Sequence, residues 1–485
     1  MRFLLNLFAL PSAWANRAKS ISGTCLRRLA GLVLVSCCCS PIALFANTYY
    51  LAPASLGGND GNNGQSIGKP WLTPKHSLNC GDVILALAST AYNSESFNSG
   101  HWGTVSCAGN NNVAWLKCET FDACKVYSGA EGMYVDHSYW GVQGFEVNVW
   151  GGNFGFCFGA APSGTNWVNI HHIIFANNIA NGCKGGGFVS FNYGTTGVDY
   201  FNVIGNIVYN AINGNAQCYN GISVYQPAQA DWGAGTHIYI AANYTYGNYE
   251  ANPCGGVQAW GGDGIIFDTL DGSHGMPYVY QSQAVAEQNI SIGNGGHGIQ
   301  VQNNVAGTAH AKIILSNNTV WGNELLSTQQ YNHLCAEVLL NSAFNVQENW
   351  NLIATKSQTA CVGNPNYALS GYEVDGTDWS YGNLAFAYNG QYEYFYWGPN
   401  FYATSNVLGV NPYFANAYVP GAPSCGGATN VANCMSWVAN NFKPTNSAVT
   451  WAGFQTPSYY AASAPLFPTW VCNANLPPGI VTKPC

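Results

Sequence analysis

Apolar and polar residues alternate through three short, nearly repeated stretches: NGISVY (Asn220–Tyr225), DGIIFD (Asp263–Asp268) and HGIQVQ (His297–Gln302). In each, a Gly precedes apolar residues at every second position: Ile222/Val224, Ile265/Phe267 and Ile299/Val301. Period-2 alternation predicts a strand with one buried face. The opposite face carries Ser223, Tyr225, Ile266, Asp268, Gln300 and Gln302, most of them polar. The three copies read as successive rungs of a coiled parallel sheet, with that polar face as the expected working surface.

A longer repeat surrounds them. An apolar pair, an Asn and a second apolar run recur in HIIFANNIANG, FNVIGNIVYN, IYIAANYTYGN, AVAEQNISIGN, KIILSNNTVWGN and FNVQENWNLIA. The anchoring residues are Asn178, Asn206, Asn243, Asn289, Asn318 and Asn349, separated by 28, 37, 46, 29 and 31 residues. A period in this range with variable insertions suits a single-stranded β-solenoid whose coils accept long loops at their turns. Each coil buries its apolar face only against its neighbours. The aligned Asn side chains are expected to stack as a ladder that satisfies buried turn backbone.

Composition narrows the class. Only 7% of the 485 residues are charged, 14% are aromatic and Gly numbers 57, which fits an all-β protein with many turns and excludes a disordered chain. Residues 1–46 carry five basic residues (Arg2, Arg17, Lys19, Arg27, Arg28) and no acid, and end in an apolar run, Leu29–Ala46. This reads as a secretory signal cut after Ala46, with lipidation of Cys37 in LVSC as the alternative. No other long apolar stretch exists, so no transmembrane anchor is expected. Without those five, the remaining nine Lys face 22 acids and no Arg, a balance of −13 that argues against nucleic acid as a partner. Fourteen cysteines remain of the 18. Neighbour pairing predicts disulfides Cys80–Cys107, Cys118–Cys124, Cys157–Cys183, Cys218–Cys254, Cys335–Cys361, Cys425–Cys434 and Cys472–Cys485.

Aligning the strand copies on Gly221, Gly264 and Gly298 sets two columns. One reads Asn220, Asp263, His297; the other, five residues on, reads Tyr225, Asp268, Gln302. Asp263 beside His297 is an expected acid/base pair, the carboxylate orienting the ring, or else a pair of turn residues. Asp268 and Asp271 flank a turn and either hold Ca²⁺ or are solvated loop acids. Tyr278, Tyr280 and Trp260 are candidate sugar platforms, with packing as the plainer reading. Asn220, Tyr225, Gln300, Gln302 and Lys312 complete the expected substrate contacts.

The opening of the chain, with Tyr49, Tyr50, Pro53, Asp60, Gly61, Gly64, Pro70, Trp71, Gly81 and Asp82, resembles that of secreted right-handed parallel β-helix proteins. Together with the repeat and NPYFANA (Asn411–Ala417), it is similar in style to pectate-lyase-like proteins, including polysaccharide lyase family 9. The resemblance implies an all-β right-handed parallel β-helix, with an N-terminal cap over 47–120, coils over 121–416 and a closing segment over 417–485. It also implies a polysaccharide substrate and a monomer. In family 9 an acidic run holds Ca²⁺ and a later Lys is the base; here the counterparts are Asp263–Asp271 and a strand that carries His297 and Gln300 but no Lys. Three functions follow as expectations: a lyase cleaving a uronate-containing glycan by β-elimination, a glycosidase, and a non-catalytic glycan-binding protein.

Overall fold

The structure is a computed structural model. It describes residues 46–449 and 452–453, apart from 94–95, 108–112, 153–154, 164–167, 213–217, 234, 251–260, 306–307, 309–311, 326–334, 356–366, 375–377, 389–391, 398–400 and 416–439. The chain divides into two units, Met1–Phe45 and Ala46–Cys485. The second is a right-handed parallel β-helix. Three parallel sheets of twelve, eleven and nine strands, here sheets I, II and III, run its length among the described residues. One coil passes from Gln283–Glu287 in sheet I through Ile290–Ile292 in sheet II to Ile299–Gln302 in sheet III.

The alternation in the strand copies matches their burial. Ile222, Ile265 and Ile299 stack in register, as do Val224, Phe267 and Val301, and all six lie in the central core. The Gly that precedes each copy answers a close approach. A Cβ on Gly264 would lie 2.0 Å from Ser291 Oγ, and one on Gly298 would lie 2.2 Å from Val320 Cγ1, because sheet II packs directly beneath.

The turn from sheet I to sheet II is one residue at Gly144 and two residues in the later coils. Its first residue is in the left-handed region in every coil from Gly144 onward: Gly144, Asn177, Gly205, Ala242, Gln288, Asn317, Trp350, Gly382 and Ser405. In eight of these turns the second residue is the ladder Asn, in the order 178, 206, 243, 289, 318, 351, 383 and 406. Asn178 Oδ1 accepts the Phe145 N–H, and from Asn206 onward each Oδ1 accepts both the backbone N–H and the side-chain amide of the preceding rung, as Asn243 does from Asn206. Five of the six anchors read from the sequence stand in this ladder. The sixth is Asn351 and not Asn349, which ends a sheet I strand paired with Ser316 and Tyr381. A second ladder, Asn248–Asn294–Asn323, runs along the turn from sheet II to sheet III and ends on Glu337 Oε2.

Asp60 and Asp82 tie down the opening segment. Asp60 accepts from Leu72 N, Thr73 N and the Thr73 hydroxyl, and Asp82 from Asn47 N and Asn79 N. Trp71 stacks between Tyr49 at 4.5 Å and His76 at 3.9 Å. Gly64, at φ 68°, lies against the Trp71 ring, where a Cβ would approach to 2.4 Å. Toward the other end, Phe414 and Phe442 pack on Trp321 of sheet II. Three disulfides join Cys80–Cys107, Cys118–Cys124 and Cys157–Cys183. Cys218 and Cys335 are also disulfide-bonded, and their partners, like the remaining pairs expected from the sequence, lie outside the described residues. Among the described residues no helix is long and apolar enough to cross a membrane.

Candidate active site

Both columns read from the sequence exist. Sheet III pairs Tyr225 with Asp268 and Asp268 with Gln302. At the other end of the same strands, Asn220 Oδ1 accepts the Asp263 N–H at 2.9 Å, and Asp263 Oδ1 accepts the His297 N–H at 2.6 Å.

The first column is buried. Asn220 and Asp263 are 1% exposed and His297 is 2% exposed. The carboxylate of Asp263 therefore meets the backbone of His297, while the ring has another partner. His297 Nδ1 lies against Glu324 Oε1 and the carbonyl of Ala336. Burial disfavours the imidazolium, but Glu324, Asp263 and the Ala336 carbonyl outweigh it and raise its pKa to about 9. Burial also pushes Asp263 up to about 7 and Glu337 up to about 8. A ring held protonated and sealed from solvent is a structural cation, poorly suited to removing a proton from a polymer. Glu324 comes from the loop between sheets II and III on the next coil and gives no periodic signal in the sequence.

The second column opens onto a cleft. A cavity of about 330 Å³ on the outer face of sheet III is lined by Val189, Phe191, Asn192, Tyr193, Cys218, Tyr219, Ser223, Tyr225 and Asp268. Its only carboxyl among the described lining residues is Asp268, and none of them is a cation. Burial raises the Asp268 pKa to about 6 against the pull of the Thr269 hydroxyl, which donates to Oδ1 at 2.5 Å. Burial, and then Asp268, raises the phenol of Tyr225 above its ordinary value. Gln226 Nε2 donates to the Tyr225 oxygen at 3.2 Å, which leaves the phenol proton free to point elsewhere. Tyr193 and Tyr219 bring apolar ring faces with polar tips, the kind of wall that suits a sugar ring.

The other expected contacts are scattered. Gln300 is buried and donates to Gln302 Oε1, which also accepts from Asn341. Tyr278 accepts the Gln229 N–H and meets Trp232, itself 71% exposed, edge to face at 6.3 Å. Tyr280 is no platform: it is 1% exposed and donates to Asp199 Oδ1 at 2.8 Å. Lys312 precedes a sheet I strand, away from the cleft lining. Trp260 lies outside the described residues. Asp271 is spent on its own turn and on the next coil: Oδ1 accepts Ser273 N and Oγ, and Oδ2 accepts Asn304 N and Val305 N. A Ca²⁺ ion there would have to displace these donors. No group of three or more His, Cys, Asp or Glu side chains converges on a metal position among the described residues. The donor set at Asp268 and Asp271 does not fit a calcium site.

No protein-family model matches this chain, and no curated protein matches it in sequence. Solved structures with a similar course include pectate lyase Pel9A, at 16% identity over 78% of this chain and 83% of that one, TM-score 0.37. The A-module of Azotobacter vinelandii mannuronan C-5 epimerase AlgE6 is 13% identical over 68% and 91%, TM-score 0.38. The GH136 lacto-N-biosidase from Eubacterium ramulus is 13% identical over 80% and 69%, TM-score 0.38. At these identities the likeness concerns the path of the backbone.

Proposed function

We propose that this β-helix is a carbohydrate-active protein that holds a glycan in the tyrosine-walled cleft of sheet III and cleaves it by β-elimination, with Asp268 as the base. The observation that carries this reading is a single carboxyl, raised to about 6, on a cleft whose described lining holds no second acid. Hydrolysis by the usual route needs two carboxyl groups flanking the scissile bond. Elimination needs one base and an acidic C–H beside a carbonyl.

The substrate must also suit a cleft whose described lining holds no cation, in a chain of low positive charge. A uronate whose carboxyl is esterified meets both demands. The ester is uncharged, and its α-proton is more acidic than that of a free carboxylate. In this scheme the Asp268 carboxylate takes the proton from C5. The electron pair forms the C4–C5 double bond and the C4–O bond breaks. Tyr225 gives its phenol proton to the departing oxygen, and protonated Asp268 then restores the phenol. Disulfides are compatible with an extracellular setting for such a substrate. Incubation with methyl-esterified polygalacturonate tests the reading: ultraviolet absorbance from an unsaturated uronate is the expected product signal, and new reducing ends without that absorbance would point to hydrolysis.

A further inference from the structure

A second cavity, of about 510 Å³, opens at the corner where sheet III turns into sheet I. Its walls come mainly from two adjacent coils, through Asp136, His137, Ser138 and Tyr139 on one and Ser163 and His171 on the next, with Thr104 and Val105 beside them. The polar groups are organised. Asp136 is buried and accepts from Gly100 N, the Ser163 hydroxyl and His137 Nδ1. With Nδ1 so engaged, the half-exposed His137 ring keeps Nε2 for the cavity. Tyr139 stands edge-on to His171, with ring centres 4.9 Å apart, and holds φ at 67°.

That strained position belongs to a series. Tyr139, His172 and Tyr200 occupy the left-handed region on three consecutive coils. Their rings stack on toward His237, at 4.9, 4.2 and 3.7 Å between successive centres. Left-handed backbone at a bulky residue costs about 1–3 kcal/mol and persists where surrounding structure or function demands it. Here it aims the Tyr139 ring into a polar cavity.

Charge selects the ligand. Burial lowers the pKa of His171, which keeps that imidazole neutral near pH 7. The Asp136 carboxyl is taken up by Gly100 N, Ser163 and His137, and no Lys or Arg is among the described lining residues. Imidazole, three serine or tyrosine hydroxyls and an aromatic face suit an uncharged sugar ring better than an anion.

The cavity also lies on the track of the cleft. Sheet III pairs Phe158–Ala160 with Phe188–Ser190, that strand with Ile222–Tyr225, and that one with Ile265–Asp268. Three rungs separate Asp268 from the wall that carries Ser163, and four from the wall that carries His137, roughly 14–19 Å along the solenoid axis. We propose that this cavity is a distal sugar subsite that holds an uncharged residue of a glycan a few units from the one at Asp268. The identity of the chain rests on the reading given for the cleft; the binding itself does not.

Titration calorimetry with uncharged hexasaccharides (glucose, galactose, mannose and xylose oligomers, and methyl-esterified hexagalacturonate) and with free hexagalacturonate tests the site. At least one uncharged hexamer is expected to bind. His137→Ala and Ser163→Ala should each weaken it about fivefold, the value of one lost hydrogen bond. Asp268→Asn should leave this loss unchanged. Full turnover by Asp268→Asn with His137-dependent binding intact would sink the cleft reading and spare the subsite. Absence of binding by every uncharged hexamer, full binding by both folded variants, or tighter binding of the free acid than of its ester overturns the subsite.

Discussion

Asp263 Oδ1 accepts the backbone N–H of His297 at 2.6 Å, and Asn220 Oδ1 accepts the N–H of Asp263 at 2.9 Å in the same way. Each side chain thus caps the next coil where sheet III begins. The His297 ring continues outward to Glu324 and the Ala336 carbonyl. The pair therefore works as a clamp between coils.

Removing the cation of this clamp leaves Glu324 buried without it. His297→Ala is expected to cost about 3–5 kcal/mol. Chemical denaturation read by circular dichroism measures it. A loss below about 1 kcal/mol would contradict the clamp.

The same cluster sets a pH dependence. Asp263, Glu337 and His297 have folded pKa values of about 7, 8 and 9, each above the ordinary value. Each contributes its full stability below its unfolded pKa, and the contribution is lost as pH rises through the folded one. Melting temperature should therefore fall between pH 5 and 9, by at least about 2 °C. Glu337→Gln keeps an acceptor for Asn323 and should flatten the fall between pH 5 and 8. A melting temperature that rises over this range would refute the assignment.

The ladder carries a separate cost. Asn243→Ala strips the acceptor from both the N–H and the amide of Asn206 and the donor to Val203 O, all fully buried. The expected loss is about 2–5 kcal/mol. Asn349→Ala, outside the ladder, should lose less than about 1 kcal/mol, and equal losses at the two positions would dispute the register.

Much of this was legible because a solenoid turns sequence spacing into spatial columns. Gly264 and Gly298 marked equivalent positions, so the pairings Tyr225–Asp268–Gln302 and Asn220–Asp263–His297 could be read directly. The ladder slipped at Asn349 because ENWNL offers two asparagines, and only the left-handed Trp350 tells which one follows the turn. Depth was harder to read. Period 2 assigns a side chain to the outer face but does not say what covers that face, so Gln300 reads as a surface residue and is buried, while Tyr280 follows the plainer reading of packing. Glu324 and the Asp136–His137 pair lie in loops, where no repeat exposes them. The second ladder had a signal, the Gly-Asn that ends YGN, IGN and WGN at Asn248, Asn294 and Asn323, but its spacing follows that of the first ladder and hides behind it.

The central claim is that Asp268 is the proton-transfer group. Initial rates of unsaturated-uronate formation from methyl-esterified polygalacturonate, measured across pH 4–8 for the wild-type protein and Asp268→Asn, test it most directly. The expected result is a rate that climbs through about pH 6 in the wild type, as the carboxyl ionises, and falls by at least about 10²-fold in Asp268→Asn, with the melting temperature retained. A folded Asp268→Asn that keeps the wild-type rate and pH profile would contradict the account.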